Sequence, residues 1–133
     1  KKLLSHIIEK EYLVNVGPAH QPTNHERKYG MTKMPRPRLD LKIINRGGAY
    51  LLGDHRPLKP VVRSTWTIPG EQLRIVLKEG RKHQIRRMMR ELLGFHVLSL
   101  ERTRIGPIRL KSLPEGKWRS LNPTEIAKIL QED

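Results

Sequence analysis

Cysteine is absent from this chain of 133 residues, which excludes disulfides and thiolate metal sites and leaves the redox compartment unread. The six histidines, His6, His20, His25, His55, His83 and His96, are scattered without ligand spacing, so neither a metal nor a cofactor is implied. No run approaches the roughly 20 apolar residues of a membrane span, and no signal-peptide pattern is visible; no membrane partner is implied. Aromatics are scarce, 5% with a single Phe, so any core is built of aliphatics and methionine. Acids are scarce too: 13 carboxylates stand against 27 Lys and Arg, a formal charge of +14. A domain this basic points to a polyanionic partner, nucleic acid first; an inert basic surface is the plain alternative. There are no internal repeats and no low-complexity tract, and the length suits one domain over 1–133. The chain opens Lys1-Lys2-Leu3 without an initiator Met, so the expectation is a processed chain or a piece of something longer.

What the chain does hold is concentrated in Gly80–Gly94, GRKHQIRRMMRELLG. Ile85, Met88, Met89, Leu92 and Leu93 recur at i, i+3, i+4, i+7 and i+8, one apolar stripe of an α-helix ended by Gly94 as an αL cap. The other faces carry Arg81, Lys82, His83, Arg86, Arg87 and Arg90, with Glu91 the only acid. Cations in a first helical turn oppose the macrodipole, and like charges at i, i+4 repel. A helix selected for stability alone would mix in carboxylates; this one is suited to an anion.

Around it the expected elements fall in order. Lys1–Glu9 reads as the last turns of a helix. Lys10–Val16 alternates as a strand, with Tyr12, Val14 and Val16 on its apolar face. Gly17–Arg38, broken by Pro18, Pro22, Gly30, Pro35 and Pro37, reads as a long exposed loop or insertion over 17–38 whose cations either reach phosphates or are merely solvated. Leu39–Arg46 reads as two helical turns, and Ala49–Leu52, Val61–Ile68 and Gln72–Lys78 as strands. His96–Arg104 reads as a strand on which Leu98 and Leu100 share a face with Arg102 and Arg104. Ile105–Leu110 continues extended, Leu113–Gly116 turns, and Trp118–Leu121 is a short strand. Asn122, Pro123 and Glu125 then cap a terminal helix buried through Ile126, Ile129 and Leu130. Dispersed helices among more numerous strands make the fold class α+β, with a largely antiparallel mixed sheet and flanking helices.

Four stretches in order, KEYLV (Lys10–Val14), EGRKHQIRRM (Glu79–Met88), LERTRIGPIRL (Leu100–Leu110) and LPEGKWRSLNPTEI (Leu113–Ile126), together resemble the RNA pseudouridine synthases of the RsuA-like, ribosomal-RNA-modifying branch. GGAYLLGDHRPLKP (Gly47–Pro60) is similar to the segment that joins the first two, whereas 17–38 has no counterpart there. The resemblance implies half of a pseudouridine synthase catalytic fold, a ferredoxin-like subdomain. It implies an isomerase without cofactor that flips a uridine from RNA, detaches uracil and rejoins it through carbon 5. The Tyr of KEY is Tyr12 and the Arg of HQIR is Arg86, implied as the stacking aromatic and the partner of a catalytic Asp. RNA contact then falls to Arg81, Lys82, His83, Gln84, Arg87, Arg90, Arg102 and Arg104, mostly at phosphates.

The family's Asp lies in a GRLD-type motif upstream of KEY. Here the only RLD is Arg38-Leu39-Asp40, after KEY and without the residues that follow in the motif, so Asp40 is set aside as a chance match. The expectation is the C-terminal part of a catalytic domain whose nucleophile, and whose S4-like RNA-binding module, belong to a missing N-terminal segment, with a cytoplasmic or organellar location. A non-catalytic, ribosome-associated RNA-binding relative is the alternative. A third reading, an amphipathic helix docking on a membrane or a protein, requires Met88, Met89, Leu92 and Leu93 to be exposed.

Overall fold

A computed structural model describes residues 8–109. Its centre is strand β1 (Lys10–Pro18), where the alternation of Tyr12, Val14 and Val16 places two buried valines on one face. The remaining strands are β2 (Arg63–Ile68), β3 (Gln72–Leu77), β4 (Phe95–Ile105) and β5 (Ile108–Arg109). They form one five-stranded sheet in the order β2-β3-β1-β4-β5, and every described pairing is antiparallel. Three helices accompany it: α1 (Asn24–Lys28), α2 (Lys42–Asn45) and α3 (Gln84–Leu93). The class is α+β, as the residue pattern implied.

The stripe on α3 packs onto the sheet. Ile85, Met88, Met89 and Leu93 lie buried against Val14, Val16, Leu73, Ile75, Leu77, Phe95 and Val97, with Leu92 partly buried beside them. Each such side chain contributes about 1.5–3 kcal/mol, and a stripe this occupied is unavailable to a membrane or a partner groove. Ile44, Leu51, Leu58 and Val61 close the edge of the same core. Trp66 meets Phe95 edge-to-face at 5.4 Å and donates its indole N–H to Leu39 O at 2.8 Å.

Several expected elements are redrawn. The basic helix begins at Gln84, not just after Gly80: His83 adopts φ 54°, the left-handed region, and Arg81–His83 form the turn ahead of the first helical residue. Arg81, Lys82 and His83 therefore lie ahead of the helix, and Arg86 is the cation that stands in its first turn. At the other end Gly94 has φ 76°, and a Cβ there would stand 2.5 Å from Pro35 O, so glycine is required both by the cap and by the passing chain. Leu39–Arg46 yields only the single turn of α2, with Asp40 Oδ1 accepting the Lys42 N–H at 2.9 Å. Ala49–Leu52 is not a strand; its backbone is tied through Gly48 N–H to Leu58 O and Leu58 N–H to Ala49 O. Ile68, at the end of β2, is 47% exposed at the edge of the sheet. The chain does not run on extended past Ile105 but reverses at Gly106-Pro107 into β5.

The larger revision concerns β4, where two register shifts leave Leu98 and Thr103 unpaired. Each bulge inverts the alternation. Phe95 and Val97 therefore point inward and Leu98 is 66% exposed. Leu100 and Arg102 stand opposite Val14 and Tyr12, but Arg104 stands opposite Glu11. Arg102 and Arg104 occupy opposite faces of the sheet, which a count by twos did not foresee. The segment 17–38 carries α1 and buries Ala19, Pro22 and Glu26, with Ala19 N–H donating to Gly94 O and Arg38 N–H to Leu93 O. The expected elements on Lys1–Ile7 and from Leu110 onward (the turn at Leu113–Gly116, the strand Trp118–Leu121 and the helix after Asn122) lie outside the described residues.

Candidate nucleic-acid interface

The polar face of α3 and the turn ahead of it are held by Glu26 and Asp54, two carboxylates that sequence reading had not associated with them, together with Glu79 and the helix's own Glu91. Glu26 lies on α1, whose start is a capping box: Thr23 Oγ1 accepts the Glu26 N–H at 3.1 Å, and Glu26 Oε1 accepts the Thr23 N–H at 2.8 Å. The same carboxylate takes a forked pair from Arg90, Nε to Oε2 at 2.8 Å and Nη2 to Oε1 at 2.9 Å. Arg90 also donates to Gln21 O at 2.7 Å and lies 3.0 Å from His96 Nδ1. Burial alone would raise the Glu26 carboxyl; the Arg90 and Thr23 hydrogen bonds outweigh it and hold the group below its ordinary value.

Asp54, in the turn after Leu52, accepts from Arg81 Nη1 at 3.1 Å and Arg87 Nη2 at 3.0 Å. Burial opposes its charge, and the two guanidinium groups overcome that and lower it. Arg81 further reaches Glu79, Arg56 O and Pro57 O. Arg87 reaches Leu52 O at 2.7 Å, and its Nε is the one buried side-chain polar atom left without a hydrogen-bond partner among the described residues. Glu91 accepts the Leu52 N–H at 2.7 Å and lies 3.7 Å from Arg87 Nε. Its burial dominates, and its carboxyl is pushed up. Gln84 is buried, accepting the Arg81 N–H at 2.9 Å and donating to Glu79.

The eight expected RNA contacts thus divide. Arg81, Arg87 and Arg90, each 12–20% exposed at the side chain, are committed to internal carboxylates. Gln84 is enclosed, and Arg104 binds Glu9 and Gly106 O behind the sheet. Lys82, His83 and Arg102 are exposed, as is Arg86, the expected partner of the Asp. Arg86 donates to Val97 O at 3.3 Å, and among the described residues no carboxylate lies within ion-pair reach of it. Lys82, His83 and Arg86 border a cleft of about 420 Å³ whose far side is formed by His25, Tyr29, Leu52 and Gly53. Tyr12, half-buried on β1, takes a hydrogen bond at its hydroxyl from Arg102 Nε at 3.2 Å, with that guanidinium 5.4 Å from the ring centroid. The structure joins Tyr12 with Arg102, and does not record a Tyr12–Arg86 contact. Among the described residues no group of His, Asp or Glu is arranged to hold a metal.

Glu26 had a signal in the sequence, Thr23-x-x-Glu26, the capping-box spacing, which announces a helix inside 17–38. Asp54 and Tyr29 had none. An acid in a turn and a tyrosine in a polar loop acquire meaning only from what lies across from them.

No family model matches the chain. Curated relatives do. An uncharacterized RNA pseudouridine synthase of Aquifex aeolicus (strain VF5) is 44% identical over 59 residues, 44% of this chain and 23% of that protein. Ribosomal small subunit pseudouridine synthase A of Escherichia coli (strain K12) is 38% identical over 84 residues, covering 62% and 35%. The dual-specificity RNA pseudouridine synthase RluF of Salmonella typhi is 34% identical over 109 residues, covering 81% and 36%. A solved structure described as that of a pseudouridylate synthase superposes with a TM-score of 0.61 at 27% identity, over 96% of this chain and 47% of that one. The chain spans 23–36% of the length of the curated relatives just described.

Proposed function

We propose that this chain, by kinship a part of the RsuA-like RNA pseudouridine synthases, supplies the RNA-facing half of a site that isomerises uridine to pseudouridine in RNA, ribosomal RNA being the substrate class suggested by the relative named for the ribosomal small subunit. The observation that carries it is the division of cations along one motif. Of the basic residues in Arg81–Arg90, three guanidinium groups are neutralised internally, while Lys82, His83 and Arg86 border an open cleft. The cleft is also lined by Glu26, Asp54 and Glu91, which the internal arginines engage, whereas the exposed Arg86 guanidinium has no carboxylate within ion-pair reach among the described residues and suits an anion or a carboxylate from elsewhere.

In this reading the N1–C1′ bond of the flipped uridine breaks and a C5–C1′ bond forms. The C5 proton departs and N1 regains one, so the reaction is balanced without a cofactor. Arg86 keeps the catalytic Asp ionised by favouring its charged form. That Asp comes from a segment outside these 133 residues, because Asp40 is exposed and its carboxylate accepts the Lys42 N–H at the start of α2. Tyr12 offers its ring to the base, steadied by Arg102.

Release of tritium from RNA carrying 5-tritiated uridine tests the chemistry, using the intact protein. Arg86→Ala should lower turnover by about a hundredfold or more with an unchanged melting curve. Tritium release by residues 1–133 alone would remove the assignment of the Asp to another segment. Steep salt-dependent RNA binding by the intact protein with no tritium release from any RNA it binds would favour the second reading, a non-catalytic ribosome-associated binder, which the absence of a carboxylate at Arg86 among the described residues also fits.

A further inference from the structure

The far wall of the cleft is shared by Leu52, Gly53 and 17–38, the stretch that matches none of the motif segments, and its part from 17–38 is built around an aromatic. Tyr29 follows α1 and is 46% exposed, although it is one of only three tyrosines in a chain poor in rings. Its position is fixed from three sides. The capping box and the Glu26–Arg90 fork hold α1 against α3. His25 meets the ring edge-to-face at 5.1 Å, and Lys28 Nζ stands 5.8 Å from its centroid. Across the cleft mouth the phenol end lies where a side chain on Gly53 would be: a Cβ there would be 2.9 Å from Tyr29 Cζ, at a φ of +82°. Glycine at 53 therefore both permits the turn and admits the ring.

A tyrosine held this firmly yet left nearly half in solvent gains little from burial. What it presents, beside a second ring at His25, is a positioned aromatic in the lining of a cleft that Lys82 and Arg86 also line. Aromatic faces interleaved with cations are the requirement for a single-stranded nucleic acid, whose bases stack while its phosphates take the charge. A duplex offers no such fit, since its bases already stack on one another.

We propose that Tyr29 and His25 form a stacking subsite for one unpaired RNA base flanking the target uridine, so that the 17–38 segment selects single-stranded over paired RNA. This rests on reading the cleft as an RNA site. The measurement is anisotropy of the intact protein with a short uridine-containing oligonucleotide, single-stranded and annealed, over a salt series. Tyr29→Ala should weaken single-stranded binding about tenfold, leave duplex binding within about twofold, and leave the slope of log affinity against log salt unchanged, because no phosphate contact is lost. Tyr29→Phe should stay within about twofold of wild type. Photo-crosslinking of wild-type protein to 5-iodouridine RNA, which needs no variant to fold, should give an adduct on Tyr29 or His25. Tyr29→Ala equal to wild type on the single strand, equal losses on both RNAs, or adducts confined to other residues would each overturn the subsite. A steep wild-type salt slope alongside any of these sinks the subsite alone, whereas a flat wild-type slope sinks the RNA reading and the subsite with it.

Discussion

Arg90 and Arg86 stand one turn apart on the same helix, in a motif whose spelling treats them alike, and they have opposite fates. Arg90 is enclosed between α1 and α3 with both arms of its guanidinium on Glu26; Arg86 is exposed beside the cleft with a single backbone acceptor. The same contrast separates Arg81 and Arg87, shared by Asp54, from Lys82 and His83. The difference teaches that a basic helix can be a fastening and an anion surface at once. The committed arginines draw two loops, 20–34 and 52–57, onto α3, and the cations left over occupy the cleft those loops enclose.

Removing Arg90 breaks this contrast most severely. Arg90→Ala leaves Glu26, 4% exposed, without its counter-charge, and should cost about 3–5 kcal/mol, measured by denaturant unfolding of the intact protein. Arg90→Lys keeps the charge but not the fork and should recover only part of that. The loss should also depend on pH. The folded Glu26 value lies below the ordinary 4.5, so its contribution is complete above about pH 4.5 and disappears as pH falls through the folded value. A melting temperature flat from neutral pH to strong acid would remove the Glu26 clamp from the account.

Asp54→Ala comes next. It unpairs two guanidinium groups that retain some solvent and other acceptors, so the expected loss is about 2 kcal/mol, with Asp54→Asn intermediate. Unfolding curves superposable on wild type would show that the backbone acceptors suffice.

Glu91→Gln sharpens the comparison by reversing its sign. The folded carboxyl is pushed up by burial, so ionised Glu91 weakens the fold above its folded value and ceases to as pH falls below about 4.5. The substitution should therefore be neutral or stabilising by less than about 1 kcal/mol at neutral pH and without effect in acid. A clear destabilisation at neutral pH would show that Arg87 needs that charge.

The smallest change in stability belongs to Lys82→Ala and Arg86→Ala, each within about 0.5 kcal/mol, while Lys82→Ala lowers the salt slope of RNA affinity by about one. A slope that does not move, or a large loss of stability, would erase the distinction between fastened and open cations.

The alternation of Tyr12, Val14 and Val16 and the stripe on Ile85–Leu93 needed nothing beyond the sequence, because each is enforced by the 2.0 or 3.6 period of a local backbone and by burial of one side. The α+β class and the kinship followed from such elements and from the order of four motifs. Which arginine meets RNA did not follow. Arg81, Arg87 and Arg90 are assigned by carboxylates 27, 33 and 64 residues away along the chain. Arg104 was moved to the other face of the sheet by one unpaired residue, Thr103. Periodicity reports the face on which a residue stands. A charge is spent or spared by what the rest of the fold brings against it, and that is a long-range property no spacing records.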